Sequence, residues 1–339
     1  MKKVLVASFV ILAILAAFGA ALQGLLSAPA NIAEGGQLFE VHRGESTSTL
    51  AARLQDEGLV RSAMAFSLLA RIEGKASRLR SGTYRIEPGM GTAAVLDLVV
   101  EGRQALQKVT IPEGLSLSET ARLFDKANVA STADFMAAAT DPSLLARLGV
   151  PGTSAEGYLF PDTYFMPKDY GAAKAIGELV ATFRSRLAAI PEAAGLDEKA
   201  LRDKVILASI IQKEYRIPDE APIIASVFDN RLKIGMGLQS CATVVYIITE
   251  RLGKAHPDVV YDKDLRIKDP FNTYLYRGLP PAPIASPGLI ALRAAFEPAS
   301  TKWLYFRLID PVVGTHHFSS TFDEHLHAAQ LVLKRTSGS

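Results

Sequence analysis

The chain has 339 residues, of which 49% are hydrophobic, so it is long enough for two or three domains with buried cores. Its 37 Lys and Arg residues against 35 Asp and Glu give a net charge of +2, which argues against a nucleic-acid partner. The single cysteine, Cys241, excludes an internal disulfide framework. We interpret it as a packing residue rather than as a nucleophile.

The N-terminus predicts a membrane anchor. Lys2 and Lys3 precede an uncharged stretch from Val4 to Leu26, which is long enough to cross a bilayer as a helix. Positive charge before the span predicts that the N-terminus stays in the cytoplasm and the rest is exported. The stretch exceeds the roughly 7–15 apolar residues of a signal peptide, so we expect a retained anchor over residues 1–30. Residues 28–30 resemble a cleavage site, which leaves a cleaved signal as the alternative.

Two segments form a weak internal repeat. Residues 39–60 (FEVHRGESTSTLAARLQDEGLV) resemble residues 109–130 (VTIPEGLSLSETARLFDKANVA), with Ser46 matching Ser116. Each copy predicts a short strand, a glycine turn, a helix capped by the serine, and a second helix. The alternative is two unrelated strand–helix units that share common capping chemistry.

The first copy resembles a LysM-like module, a small βααβ fold often associated with peptidoglycan, which we place over residues 31–106. Within it we predict a strand from Ser81 to Ile86 and a helix from Thr92 to Glu101. A second strand–helix segment over residues 107–150 then leads to a catalytic domain over residues 151–339.

The loop that opens the catalytic domain is rich in carboxylates, aromatic rings and turn-forming residues. It reads EGYLFPDTY from Glu156 to Tyr164. Sugar sites use such a mixture, because aromatic faces stack on pyranose rings while carboxylates bind hydroxyl groups. Composition alone favours an irregular loop with a Pro-Asp turn.

Glu214 follows an apolar helical stripe. At helical spacing it lies over Leu207, Ile210 and Ile211, whereas Gln212 faces a smaller, more polar side. A carboxylate on an apolar face loses hydration, which raises its pKa, and the negative end of the helix dipole acts in the same direction. The pattern predicts a general acid that holds its proton near neutral pH. The alternative is a glutamate at a frayed helix end that points to water.

The segments after Glu214 alternate between helix and strand patterns. A helix is predicted from Asp219 to Lys233, closed by Gly235, with Asn230 and Arg231 bonding locally to support the site. Short strand patterns run over residues 243–248 and 303–308, and a proline-rich loop over residues 278–281 is expected to be rigid.

Four ordered blocks resemble the endolytic murein transglycosylases of the YceG-like (MltG) family. They are Glu156–Tyr164, Ala208–Tyr246, Phe271–Gly288 and Trp303–His325. The family pattern A-S-I-I-E-K-E appears here as residues 208–214. The resemblance implies that its second glutamate, Glu214, is catalytic.

The chain departs from the family pattern at three places. Gln212 replaces the first glutamate, Cys241-Ala242 replaces the usual Asp-Pro, and Leu326 stands where asparagine is common. Because position 212 does not lie on the isoleucine-rich stripe, the helical-face argument favours Glu214 independently of the resemblance.

The resemblance implies a lyase reaction with one acid. The glutamate protonates the bond between N-acetylmuramic acid and N-acetylglucosamine, then takes a proton from the muramic 6-hydroxyl, which closes a 1,6-anhydro ring. Ordinary glycoside hydrolases need two carboxyl groups, and here Glu156 or Asp162 would be the second. A muramidase is therefore one alternative, and a non-catalytic glycan-binding septal scaffold is the other.

The family blocks also imply the substrate contacts and partners. We expect glycan strands of nascent peptidoglycan as substrate, with termination of glycan elongation as the role, and the cytoplasmic membrane and peptidoglycan synthases as further partners. The catalytic domain would lie in the periplasm or outside. The predicted substrate-binding residues are Glu156, Asp162, Thr163, Tyr164, Gln239, Ser240, Thr243, Asn272, Tyr274, His316 and Ser319.

No metal or cofactor is expected. His316, His317, His325 and His327 cluster near the C-terminus, but their spacing matches no zinc pattern and cysteine partners are absent. The predicted fold is α+β: a transmembrane helix, a LysM-like module, and a mixed α/β catalytic domain of YceG-like type.

Overall fold

The computed structural model describes residues 16–17, 19–21, 23–29 and 32–328, and the chain divides into two compact units, one up to Gln107 and one from Lys108. Much of the predicted anchor lies outside the described residues. Within the described ranges, no helix combines the length and the apolar character needed to cross a bilayer. The anchor and the cleaved-signal alternative stay predictions.

The first unit has the element order β-α-α-β-α. Strands β1 and β2 pair antiparallel, with Phe39 opposite Tyr84, and both of these rings are buried. The predicted strand and the predicted helix near residues 81–101 are confirmed, and Ser46 caps α1 by accepting from the Thr49 N–H. The likeness to a LysM module stays a prediction. The elements are β1 (Gln37–Val41), α1 (Thr47–Asp56), α2 (Ala63–Ile72), β2 (Gly82–Ile86) and α3 (Thr92–Glu101).

The second unit opens with a variant of the same order. Ser116 caps α4 in a reciprocal capping box with Glu119, and Gly114 takes a left-handed conformation with φ +80°, as Gly44 does with φ +79°. The predicted repeat is therefore present in element order and capping. One extra helix precedes β4, which pairs with β3. The elements are β3 (Leu106–Thr110), α4 (Leu117–Lys126), α5 (Thr132–Ala138), α6 (Pro142–Leu148), β4 (Thr163–Pro167) and α7 (Ala172–Leu187).

A buried helix, α8 (Glu198–Glu214), forms the centre of the remaining structure. It packs against α9 (Ala221–Lys233), α10 (Cys241–Tyr246) and α11 (Leu289–Phe296), and every residue from 205 to 211 is buried. Even the predicted polar side is covered, since Ser209 donates to the Ile206 carbonyl and accepts from the Ile284 N–H. Because so much apolar surface is removed from water, α8 is held rigidly up to its last turn.

A β-hairpin closes the described part of the second unit. Strands β5 (Tyr305–Asp310) and β6 (Thr315–Ser319) pair antiparallel, with Phe306 opposite Phe318, and residues 322–328 are helical. The predicted strand at residues 303–308 is confirmed with a shift of two residues. The ring of Phe306 packs edge-on against Phe228 of α9, with 5.6 Å between ring centres, which attaches the hairpin to the helical core.

The strand predicted at residues 243–248 is wrong, because this segment is α10 followed by a π-helical turn, Ile247–Arg251. The alternating β-branched residues suggested a strand, yet Val244 and Ile247 are buried on one side of the helix. Thr243 adds a bond from its hydroxyl to the Ser240 carbonyl at 2.8 Å. Tertiary burial has overridden the local β preference.

Candidate active site

Glu214 is the last residue of α8 and is half-buried. The Ser240 hydroxyl donates to its Oε1 atom at 2.5 Å, and Tyr215 leaves the helix in an extended conformation. The apolar stripe beneath it is buried, as predicted: Leu207, Ile210 and Ile211. Glu214 therefore is not a frayed residue that points freely to water.

Opposing effects set the charge state of Glu214. Loss of hydration raises the pKa of this carboxyl group above its ordinary value, while the Ser240 hydrogen bond and the charges of His316 and Arg231 act to lower it. The position at the negative end of the α8 dipole adds to the upward shift. The group holds its proton at higher pH than an exposed glutamate, and polar partners are in place when the proton leaves.

Arg231 fixes the segment that carries Ser240. From the last turn of α9, its buried guanidinium donates to the Leu238 carbonyl at 2.5 Å and to the Leu304 carbonyl at 2.7 Å. Asn230 likewise donates to two carbonyls within residues 301–303. The prediction that both residues bond locally is confirmed only for the bond from Arg231 to Leu238, because their other bonds join α9 to segments about 70 residues away in sequence.

A Glu220–His316 pair belongs to the same site. Glu220 lies in the 3-10 turn before α9, and it accepts from the backbone N–H of His316 at 3.0 Å and contacts the Nδ1 atom at 2.6 Å. With side chains only 13% and 5% exposed, the pair is shielded from water. Both contacts come from one carboxylate, so the imidazole ring is held in one orientation and its Nε2 atom is the one left for other partners.

Thr273 anchors the backbone around Ser240. Its hydroxyl accepts from the Ser240 N–H at 3.0 Å, and its carbonyl accepts from the N–H of Gln239, which has φ +50°. The next residue, Tyr274, contacts the Cys241 sulfur through its hydroxyl at 3.0 Å. Burial first, then this contact, then the negative charge of Glu214 raise the pKa of Tyr274.

Sequence reasoning found part of this site. Three predicted candidates, Ser240, Tyr274 and His316, lie around Glu214. A fourth, Thr243, donates from its hydroxyl to the Ser240 carbonyl. Glu220, Arg231 as a charge near the acid, and Thr273 were missed. Glu220 gave no distinctive signal, since an acidic residue in the turn before a helix is an ordinary N-terminal feature.

The predicted residues near the start of the domain are engaged elsewhere. Glu156 is buried, both of its oxygens accept from the Leu117 N–H at 3.0–3.1 Å, and burial raises its pKa to about 8. Asp162 forms a salt bridge with Arg186 at 3.1 Å. Among the described residues, no hydrogen bond or ion pair links either carboxylate to Glu214. Thr163 contacts the Thr110 hydroxyl at 3.0 Å, and the Tyr164 hydroxyl donates to the Phe160 carbonyl.

Three further candidates differ in their availability. The buried Asn272 amide donates to the carbonyls of Leu265 and Ile267 and accepts from the Tyr274 N–H, so it organises its own loop. Gln239 is exposed. Ser319 is buried, and its hydroxyl has no partner within the described ranges.

The C-terminal histidines are held by rings and charges. His316 pairs with Glu220, while the His325 ring stacks on Tyr305 with 5.4 Å between ring centres, and burial lowers the pKa of His325. In the part of the chain that the structure describes, no three His, Cys, Asp or Glu side chains are grouped as metal ligands would be.

Comparison with known proteins places this site in a family context. The sequence profile of the YceG-like family matches residues 39–331. The chain belongs to the YceG-like family. The match covers both compact units, so the family assignment rests on nearly the whole chain and not on the catalytic segment alone.

Relatives of this YceG-like chain include two bacterial proteins named endolytic murein transglycosylase and one solved structure. It is 30% identical over 308 residues to the endolytic murein transglycosylase of Bacillus subtilis, covering 86% of this chain and 83% of the relative. It is 27% identical over 314 residues to the endolytic murein transglycosylase of Streptococcus pneumoniae D39, covering 84% of this chain and 56% of the relative. The crystal structure of a yceG-like protein from Listeria monocytogenes aligns with a TM-score of 0.59 at 30% identity. The alignment covers 87% of this chain and 99% of the Listeria chain.

Gln212 has a structural role in this YceG-like chain. Its amide nitrogen donates to Glu113 at 3.2 Å, and its amide oxygen accepts from the Gly288 N–H at 2.8 Å. The Tyr215 hydroxyl also donates to Glu113. Position 212 therefore serves a different set of contacts from Glu214, as the helical-face argument predicted.

We expect Gln212→Glu to destabilise the fold. The change would place a second carboxylate against Glu113 and remove the N–H group that donates to Glu113. We expect the free energy of unfolding to fall by about 1 kcal/mol, the scale for a partly exposed pair. Urea denaturation of the full chain measures the loss. The double variant Gln212→Glu/Glu113→Gln should recover most of it because the repulsion is gone. Equal stability of Gln212→Glu and the parent chain would contradict these contacts.

Proposed function

We propose that this YceG-like chain is a membrane-anchored endolytic lytic transglycosylase. It cleaves the bond between N-acetylmuramic acid and N-acetylglucosamine in nascent peptidoglycan and leaves a 1,6-anhydro end, which terminates glycan elongation. The observation that carries the proposal is the half-buried Glu214 with its raised pKa and its Ser240 donor. The names of the two relatives support the substrate class.

The reaction follows from one carboxyl group that acts twice. Protonated Glu214 donates its proton to the glycosidic oxygen as the bond from the muramic C1 atom breaks, which releases the 4-hydroxyl of N-acetylglucosamine. The resulting carboxylate takes the proton of the muramic 6-hydroxyl, whose oxygen bonds to C1 and closes the ring. Glu214 ends protonated, as it began. A nucleophile within the same sugar gains an effective molarity of about 10⁵–10⁸ M when well oriented.

The surroundings of Glu214 suit both of its charge states. Before proton transfer, burial favours the neutral acid. After transfer, the Ser240 hydroxyl and the charges of His316 and Arg231 stabilise the carboxylate. Because these groups are held by Thr273, Glu220 and backbone carbonyls, they need not reorganise during the reaction.

The positions of the other carboxylates support the single-acid reaction over hydrolysis. A muramidase would need a second carboxyl group across the bond. Both oxygens of Glu156 accept from Leu117, Asp162 is paired with Arg186, and both oxygens of Glu220 contact His316. Each of these carboxylates is held by a partner other than Glu214, and that partner accounts for its position.

Glu214→Gln should abolish most cleavage. The change keeps the size and the hydrogen bond to Ser240 but removes the transferable proton, and general acid catalysis contributes roughly 10²–10⁴-fold. Digests of purified glycan strands are analysed by mass spectrometry for anhydro ends. Glu198→Gln, the same change at the opposite end of α8, serves as the control. Undiminished activity of a folded Glu214→Gln chain would refute the mechanism, and reducing ends from the parent chain would favour a muramidase.

Glu220 should act through His316. Glu220→Gln removes the charge that holds the ring, and we expect kcat to fall by about tenfold with little change in KM. In a double-mutant cycle, His316→Ala/Glu220→Gln should be no slower than His316→Ala alone, because the two residues work as a unit. Asp219→Asn in the same turn is the control. Additive losses would show that Glu220 acts independently of His316.

The anchored topology belongs to the same proposal. The uncharged stretch after Lys2 and Lys3 supports a single-pass span, and the substrate lies outside the cytoplasmic membrane. Glycan strands, the membrane and the peptidoglycan synthases that make the strands would then be the partners, and the LysM-like first unit would lie on the same side as the glycan.

A reporter that works only after export, fused after Ser339, tests this topology. We expect reporter activity in cells and the fusion protein in the membrane fraction, because the positive flank retains the N-terminus inside. Activity of a reporter that works only in the cytoplasm would overturn the orientation. Release of a shortened chain into the soluble fraction would favour the cleaved signal.

A further inference from the structure

A cavity of about 410 Å³ opens beside the catalytic segment within the second unit. It is lined by residues of the first half of α4 and the turn before it, the end of α8, α10, the π-helical turn, the loop over residues 253–256, and Ile284. Lys213 and Ala242 are among its walls, one residue from Glu214 and two from Ser240. Glu214 itself does not line the cavity. The cavity volume is in the range of small-ligand sites.

The walls of this cavity carry more cations than carboxylates. Arg122, Lys213 and Lys254 face Glu119 and Glu250. Lys213 donates to the Gly114 carbonyl at 3.1 Å, and Glu119 is bonded to the Ser116 N–H within the capping box. No salt bridge to Arg122 or Lys254 is present among the described residues. These two cations are available to an anionic ligand.

This chemistry suits a peptide better than a sugar. Neutral sugars are held by hydroxyl-binding groups and by aromatic faces, and the rings of the cavity wall are those of Tyr246 and His256. The Tyr246 ring lies against Phe271, with 5.1 Å between ring centres. A short peptide with free carboxylates and an amino group would match the cations and the remaining acid, Glu250.

We propose that this cavity binds the peptide stem of the muramic acid residue whose bond is cleaved. The proposal rests on the proposed function. The muramic ring carries both the reacting C1 atom and the ether-linked stem at C3, so the stem leaves the sugar within one ring's width of Glu214. Arg122 and Lys254 pair with stem carboxylates, and Glu250 receives the stem amino group.

The first test measures binding without cleavage. Calorimetry compares N-acetylmuramyl-pentapeptide with N-acetylmuramic acid on the full chain carrying Glu214→Gln. We expect the muramyl peptide to bind more tightly, and Arg122→Ala/Lys254→Ala to weaken it by about tenfold or more. Lys126→Ala, one turn further along α4 and outside the cavity, is the control. Equal binding of the two probes, or equal weakening by Lys126→Ala, would overturn the proposal.

The second test measures cleavage by chains with an intact Glu214. We expect the kcat/KM ratio for stem-bearing over amidase-denuded glycan strands to fall about tenfold in Arg122→Ala/Lys254→Ala. An unchanged ratio would overturn the stem site while the lyase activity stands. If the parent chain cleaves neither substrate, the proposed function fails, and the calorimetry still decides whether the cavity recognises the muramyl peptide.

Discussion

The hydrogen bond from Ser240 to Glu214 is the interaction on which the site depends. A carboxyl group placed on a buried helix loses hydrogen bonds to water. The Ser240 hydroxyl replaces one of them with a hydrogen bond of 2.5 Å. That bond requires the backbone around Ser240 to be fixed, which Thr273 and Arg231 achieve from two different segments. The end of α8, the loop after α9 and Leu304, the residue before β5, are thereby joined in one network.

The electrostatics of the site are a balance rather than a single strong effect. Burial raises the pKa of Glu214, and a hydroxyl, a guanidinium and an imidazole oppose the shift. Glu156 is also buried, and its pKa rises to about 8 although it accepts from Leu117. In the proposed reaction Glu214 both gives and takes a proton, which requires that neither its neutral nor its charged form be strongly favoured.

Two of the three departures from the family pattern, Gln212 and Cys241-Ala242, have different structural consequences. Gln212 forms hydrogen bonds with Glu113 and Gly288, and these contacts do not involve Glu214. Cys241 contacts the Tyr274 hydroxyl next to the acid, whereas its neighbour Ala242 forms part of the wall of the cavity. Of these substitutions Cys241 is the one that lies beside Glu214, which is itself retained.

Local patterns in the sequence determined the helix that ends at Glu214, its apolar face, and the capped helices of the repeat. Helical periodicity and capping act between residues three or four apart, so they can be seen without a fold. The tertiary structure alone decided that Glu220 holds His316, 96 residues away, and that Thr273 holds Ser240, 33 residues away. It also made residues 243–248 helical and drew Glu156 onto the α4 N-terminus, because burial and distant partners outweigh local preference.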